Sequence, residues 1–258
     1  MIMKNTLLKA ITEAGIILKD NFAGNFKIES KDMIANLVTE IDKKSEKKII
    51  EVIKNDFPEH NILSEEIGAL TQESNYKWII DPIDGTVNYA HSIPITCISI
   101  GIEKDGEVIM GAVYNPMMDE LFFAEKGEGS YFNEKRIYVS KEDNFAKALL
   151  VTGFPYDSSR NPHKPAEVFA RVVYNDIPVR RLGSAALDLC WTAMGRFEGF
   201  WEYNLNAWDV AAGCIILTEA GGKLSDFNGS ALSIYQREIL ATNGLIHEQL
   251  RKLIKNEN

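Results

Sequence analysis

Trp78-Ile79-Ile80-Asp81-Pro82-Ile83-Asp84-Gly85-Thr86 is the stretch on which the reading of this chain turns. A short apolar, strand-like run ends in an acidic turn punctuated by proline and glycine. Two carboxylates three residues apart, with a hydroxyl two further on, are the hard oxygen ligands that suit a divalent cation. Pro82 fixes one backbone angle, and Gly85 permits the close approach of a ligand. The plainer reading is an Asp-rich turn that only closes a strand. Against it stand Asp42, Glu65 and Asp209, three further acids at the ends of predicted elements.

Upstream, residues from Thr6 to Asn21 have the apolar spacing of an amphipathic helix. Phe26–Ser30 reads as a short strand, Lys31–Asn36 as a polar loop, and Thr39–Asp56 as a second helix. Thr39 and Asp42 have the spacing of a capping box. Asn61–Ser64 is a strand ending at Glu65, and Gly68–Asn75 reads as a mobile surface loop. Downstream, Cys97–Glu103 and Val108–Tyr114 flank an Asp105-Gly106 turn, and Leu121–Ala124 and Tyr131–Phe132 extend an antiparallel meander.

Past Lys141 the pattern changes. Strands at Ala148–Phe154, Val179–Arg181, Gly199–Glu202, Lys223–Asp226 and Ile239–Thr242 alternate with helices at Pro165–Tyr174, Ser184–Met194, Ala207–Ala220 and Leu245–Ile254. Alternation of this kind predicts an α/β layered half. Two closely packed halves are expected, an α+β half over residues 1–142 and an α/β half over 143–258, with the site at their junction.

Composition bounds the function. A length of 258 residues with 45% hydrophobic and 25% charged residues is that of an ordinary globular protein with a substantial core. The net charge of −9, without a Lys/Arg-rich run, argues against a nucleic-acid-binding surface. Cys97, Cys190 and Cys214 form no CxxC pair and read as buried free thiols in a reducing compartment. His60, His91, His163 and His247 are scattered, which argues against a histidine-based zinc site. Charges interrupt the apolar residues of the N-terminal helix, so it is not read as a signal peptide. No apolar run reaches the roughly 20 residues that span a bilayer. A cytoplasmic protein is expected.

Five matching pieces, in order, make the chain resemble the inositol monophosphatase family, the lithium-sensitive, magnesium-dependent sugar-phosphate phosphatases. They are Asn36 to Asp42, Ser64-Glu65-Glu66, Asp81 to Thr86, Gly183-Ser184-Ala185, and Glu202 through Trp208-Asp209-Val210-Ala211-Ala212-Gly213 to Gly222. The resemblance implies a layered αβαβα sandwich. It also implies a phosphomonoesterase acting on inositol monophosphate or a similar small phosphorylated polyol or sugar, with two or three Mg²⁺ ions and a homodimeric assembly. One metal would be held by Glu65, Asp81 and the Ile83 carbonyl, and a second by Asp81, Asp84 and Asp209. A third would use Glu65 through solvent, near Asp42.

The activating hydroxyl matches Thr86, supported by Asp42, with Glu65 a further catalytic position. Substrate contacts fall on Asp84, Gly85, Thr86, Gly183, Ser184, Ala185 and Glu202, and Lys31 and Thr39 fall on a loop that closes near the metals. Taken singly, Asp209 is also a helix-dipole acid, Ser184 a helix N-cap and Glu202 a strand-end acid. The chain departs from the pattern at Asn36, often Asp, and at Val87, often Thr. Arg180 and Arg181 read as a solvated strand edge or, more sharply, as a site for the second phosphate of fructose 1,6-bisphosphate.

Fructose-1,6-bisphosphatase, nucleotide 3′-phosphatase, histidinol phosphatase and NADP phosphatase activities are the alternatives within the family. A haloacid-dehalogenase-type phosphatase needs its two aspartates one residue apart, which Asp81 and Asp84 are not. A non-enzymatic regulatory binding protein is the alternative of a different class.

Overall fold

Leu7, Ala10, Ile11, Ala14 and Leu18 recur at helical spacing and are all fully buried, which gives α1 (Ile2–Asn21) one core face. In α2 (Glu40–Asp56) the same role falls to Ile41, Ile49, Val52 and Ile53. The computed structural model describes residues 1–24, 26–30, 37–155, 158 and 161–257, so the loop expected over Lys31–Asn36 lies outside the described residues. On either side of it β1 (Ile28–Ser30) and β2 (Leu37–Thr39) pair antiparallel, the second being a strand that the sequence did not suggest.

The first large sheet takes β3 (Asn61–Ser64), β4 (Gly68–Leu70), β5 (Tyr76–Asp84), β6 (Cys97–Lys104), β7 (Glu107–Asn115), β8 (Glu120–Glu125), β9 (Gly129–Phe132) and β10 (Lys135–Arg136). Between β5 and β6 lies the short helix α3 (Thr86–Ala90). The strand order is β10-β9-β8-β7-β6-β5-β3-β4. It is the expected meander, with β3 added parallel to β5. The expected loop from Gly68 opens instead as β4, an edge strand paired to β3 through backbone groups despite its exposed side chains.

The second sheet takes β11 (Leu150–Thr152), β12 (Val179–Arg181), β13 (Gly199–Tyr203), β14 (Lys223–Ser225) and β15 (Glu238–Thr242), in the order β12-β11-β13-β15-β14. Its helices are α4 (Pro165–Tyr174), α5 (Ala185–Ala193), α6 (Ala207–Glu219) and α7 (His247–Lys255).

Three clusters of buried side chains show how these parts stack. Ile98, Ile100 and Ile102 of β6 turn one sheet face towards α1 and α2. Val113 and Phe122, from that sheet's other face, join α5 and α6 and also Val151, Phe200 and Ile239 of the second sheet. On the far side Leu150, Trp201 and Leu240 meet Val168 and Val172 of α4 and Leu250 and Ile254 of α7. The alternation of Phe200 and Trp201 between two cores is the strand period of two acting inside a sheet covered on both faces. The layers are thus α1/α2, sheet, α5/α6, sheet and α4/α7, the αβαβα sandwich that the resemblance implied.

The centre of the stack is tight. A Cβ on Gly101 of β6 would lie 2.8 Å from the Ala211 Cβ of α6, and one on Gly111 of β7 would lie 2.8 Å from the Ala212 Cα. These glycines let α6 lie directly on the first sheet, and that sets the depth at which its N-terminus enters the site.

Candidate active site

The acidic stretch is not a turn after the strand. It is the end of β5 itself. Asp81 pairs with Ser99 and Asp84 with Cys97, so three steps along β5 match two along β6, with an irregularity between. One extra residue restores the facing of the chain, and both aspartates pair with β6 residues on the α5/α6 side. Pro82, which cannot donate to a ladder, falls within the irregular segment. The strand then ends at Gly85 with φ +86, where a Cβ would lie 2.9 Å from the Ile95 carbonyl oxygen. Only glycine fits both the angle and the space. Thr86 begins α3.

Neighbouring elements bring in the other acids. Parallel pairing sets Ser64 beside Ile80, and the Glu65 N–H donates to the Ile80 carbonyl (3.2 Å), so Glu65 lies next to Asp81. Asp42, fully buried on the first turn of α2, forms the predicted capping box: its Oδ2 accepts from the Thr39 N–H (2.8 Å) and hydroxyl (2.6 Å). The single Thr86 hydroxyl hydrogen has two acceptors within reach, the Ile83 carbonyl (2.9 Å) and Asp42 Oδ1 (3.3 Å). Further along α2, Ser45 donates to the Pro82 carbonyl (3.0 Å), and Glu46 accepts from the Ser64 hydroxyl and the Glu66 N–H. One helix therefore braces both strand ends.

At the start of α5, the Ser184 hydroxyl (2.6 Å) and the Ala186 N–H (2.7 Å) both donate to Asp84 Oδ2. Asp209 stands on the first turn of α6, with its Oδ2 accepting from the Asn206 N–H (2.6 Å) in a second capping box.

A cavity of about 480 Å³ is lined by Glu65, Asp81, Asp84, Thr86, Glu202 and Asp209, among others. Burial and the carboxylates of Glu65, Asp84, Asp209 and Asp42 hold Asp81 well above the usual carboxylate range. Burial raises Asp84 to about 6 against its hydrogen bonds from Ser184 and Ala186. Asp209 is raised to about 8, by burial with Asp84 and Glu65 nearby, and Glu202 to about 8, by burial and then Asp209. Burial likewise lifts Asp42 to about 7, against its bonds from Thr39. The described residues lining the cavity include only two cations, Arg181 and Arg237.

Such a crowd of carboxylates is stable in charged form only with added positive charge. Among the described residues no three His, Cys, Asp or Glu side chains form a ready-made metal-holding group. The donor set nevertheless fits Mg²⁺, which takes oxygen ligands only, keeps several waters, and is commonly held by one or two carboxylates together with substrate phosphate.

The structure thus brings together Glu65, Asp81, Ile83, Asp84, Gly85, Thr86, Gly183, Ser184, Ala185, Glu202, Asp209 and Arg181 around one cavity. Asp42 and Thr39 stand behind Thr86. Arg180 is not in the lining; its guanidinium folds back onto the Val179 carbonyl (3.1 Å), because successive strand residues point to opposite faces. Lys31 lies outside the described residues.

Sequence reasoning missed Gly153, against which the Glu202 carboxylate packs so closely that no Cβ would fit. It also missed Asn204, Asn206 and Arg237 in the lining, and Asn88, which ties two loops of the site together. Only Asn206 carried a local signal, as the cap three residues before Asp209.

Comparison with known proteins gives a consistent result. A family model described as the inositol monophosphatase family matches residues 3–258. An inositol-1-monophosphatase from Synechocystis is 42% identical over 247 residues, covering 95% of this chain and 86% of the relative. A fructose-1,6-bisphosphatase/inositol-1-monophosphatase from Aquifex aeolicus is 40% identical over 248 residues, covering 95% and 92%. The solved inositol monophosphatase of Anabaena (Nostoc) superposes with a TM-score of 0.88 at 40% identity, covering 98% of this chain and 95% of that one.

Proposed function

The chain belongs to the inositol monophosphatase family, a family of phosphoric monoester hydrolases, and from that premise we propose that it hydrolyses inositol monophosphate or a similar small sugar phosphate with Mg²⁺. The observation that carries the reading is the placing of Asp81 and Asp84 on one face of β5, opposite Asp209 of α6 and beside Glu65. Glu65, Asp81, the Ile83 carbonyl, Asp84 and Asp209 would hold two or three Mg²⁺ ions. When bound, Mg²⁺ supplies Lewis-acid charge to the phosphate oxygens and lowers the pKa of water.

The chain's own groups do the rest. Thr86 Oγ lies between the cavity and Asp42, so it can accept a hydrogen from the attacking water while directing its own hydrogen to Asp42 Oδ1. Asp42 is held in place for this by the Thr39 N–H and hydroxyl on its other oxygen. Backbone N–H groups at Gly85 and Thr86 are available to phosphate oxygens where α3 begins. Glu202 and Asp84, with Gly183, Ser184 and Ala185, form the side that receives substrate hydroxyls. Phosphate monoesters hydrolyse extremely slowly without catalysis, so charge stabilisation and water positioning are both needed. Fructose 1,6-bisphosphate is a second substrate reading, favoured by Arg181 in the cavity wall and by the paired activity in the name of the Aquifex relative.

The chain is further proposed to work as two closely packed halves, 1–142 and 143–258, to form a homodimer and to be inhibited by lithium. Among the described residues no helix is long and apolar enough to cross a membrane. The test is a kinetic panel of inositol 1-phosphate, fructose 1,6-bisphosphate, adenosine 3′,5′-bisphosphate and NADP, with Mg²⁺ and with chelator. Phosphate release from inositol 1-phosphate that chelator abolishes is the expected result. No release from any of the four with excess Mg²⁺ would overturn the reading.

A further inference from the structure

Gly153 follows β11 at the cavity, and its backbone gives no reason for a glycine. Its φ is not positive, so an L-residue could adopt the same conformation. What excludes a side chain is the carboxylate of Glu202. A Cβ at 153 would overlap Oε2, Cδ and Oε1 of Glu202, and these are the three atoms nearest to it.

Strand pairing brings the two residues together. β11 and β13 run parallel with Val151 beside Phe200, both in the core shared with α5 and α6. Two residues further on, Gly153 and Glu202 stand on that same face. Both are buried and both line the cavity. In the sheet β11 lies between β12 and β13. The Glu202 side chain therefore leaves its own strand and rests its carboxylate against bare backbone at the end of β11, towards β12 and away from β15.

No bond holds it there. Among the described residues the Glu202 carboxylate accepts no hydrogen bond and forms no ion pair. The surrounding charges act on it from a distance: Asp209 and Asp84 repel it, and Arg181, which follows from β12, attracts it. Repulsion from the carboxylate cluster and attraction to β12 both favour the lean across β11. The missing side chain at 153 decides how far the lean can go.

We propose that Gly153 is a specificity-determining positioning residue, whose missing side chain leaves a recess that sets the Glu202 carboxylate where it accepts a hydrogen bond from a hydroxyl of the leaving group. The proposal rests on the phosphatase reading above and deepens it, since it ties the preference for a polyol or sugar leaving group to a residue that cannot itself touch a hydroxyl. A methyl group at 153 would push the carboxylate off this position. The backbone would stay in place, because the nearest atoms are the far end of a flexible side chain.

The experiment compares inositol 1-phosphate, whose leaving group is a ring of hydroxyls, with p-nitrophenyl phosphate, whose leaving group has none. The readout is the ratio of their kcat/KM values with Mg²⁺, in the wild type, Gly153→Ala, Glu202→Ala and the double variant. Gly153→Ala should lower the ratio about tenfold, the scale of one lost hydrogen bond to a charged group. Glu202→Ala should lower it by a similar factor. In the Glu202→Ala background, Gly153→Ala should change it by less than about twofold, because a residue that acts only through Glu202 then has nothing to act on. A ratio kept within about twofold in Gly153→Ala, or a loss as large in the Glu202→Ala background as in the wild type, would overturn the proposal.

Glu202→Asp draws the carboxylate back from β11 by one methylene with Gly153 kept, and it serves if Gly153→Ala does not fold. It should also lower the ratio about tenfold, and a ratio like that of the wild type would count equally against the proposal. Melting-temperature shifts with the same two ligands read the recess without turnover. Inositol 1-phosphate should stabilise the wild type more than p-nitrophenyl phosphate does, and Gly153→Ala should lose the difference; equal shifts in the wild type would overturn the proposal. A failure of hydrolysis itself therefore counts against the phosphatase reading alone.

Discussion

Asn88 offers the most direct test of how two loops are joined at the site. It is 8% exposed, and its side-chain amide donates to the Ile95 carbonyl (2.7 Å) and the Leu182 carbonyl (2.8 Å). One of these carbonyls belongs to the loop before β6, the other to the loop that carries Gly183 and Ser184. Asn88→Ala removes both donors and leaves two carbonyls short of a partner. At about 1–2 kcal/mol each, the loss is about 3 kcal/mol. For a chain of this size that corresponds to a fall in melting temperature of roughly 6–12 °C. Because Ser184 follows the released loop and holds Asp84, turnover should fall severalfold as well. Asn88→Asp separates hydrogen bonding from packing: it keeps the volume but presents oxygens to two carbonyl oxygens, so it should destabilise at least as much as alanine. The assays are thermal and urea unfolding together with steady-state kinetics. A change below about 0.5 kcal/mol in Asn88→Ala, or an Asn88→Asp variant as stable as the wild type, would refute the bridging role.

Other outcomes follow from the same geometry. Asp209→Asn should still bind substrate but lose most turnover, and near-normal turnover would remove Asp209 from the proposed metal site. Gly101→Ala should cost about 1–3 kcal/mol, because a Cβ would meet Ala211 of α6 at 2.8 Å; an unchanged urea midpoint would show that α6 does not rest on the sheet there.

His247 is 2% exposed and lies between Ser225 Oγ (2.9 Å) and Thr242 Oγ (2.9 Å), and burial, with Lys223 next, lowers its pKa from 6.5 to about 4. The fold favours the neutral ring, so its contribution is full above pH 6.5 and is lost as pH falls from 6.5 towards 4. Between pH 7 and pH 5 the wild type should lose about 2 kcal/mol more than His247→Gln, measured by urea unfolding. Parallel pH curves for the two proteins would contradict this.

The sequence determined a good deal by itself. The Asp81–Thr86 stretch, the Thr39–Asp42 capping box and the Asp209 helix start are local patterns, set by a few neighbouring residues, and the structure contains each of them. The helix faces and the meander were legible for the same reason, since apolar period and turn residues are written along the chain. Tertiary structure decided what depends on register and layering. The irregularity between Asp81 and Asp84 is visible only against β6, because a register shift is a property of a pair of strands. β4 forms although its side chains carry no strand signal, because the free edge of β3 supplies its backbone partners.

Arg180 and Arg181 look alike in sequence, yet strand alternation sends one away and the other to the cavity wall. Gly153, Asn204 and Arg237 join the site only because β11, β13 and β15 are neighbours in a sheet whose order differs from chain order. The carboxylates were recognisable one by one. Their common burial, which raises Asp81, Asp84 and Asp209 together and calls for cations, exists only once two strands and two helix starts meet at one cavity.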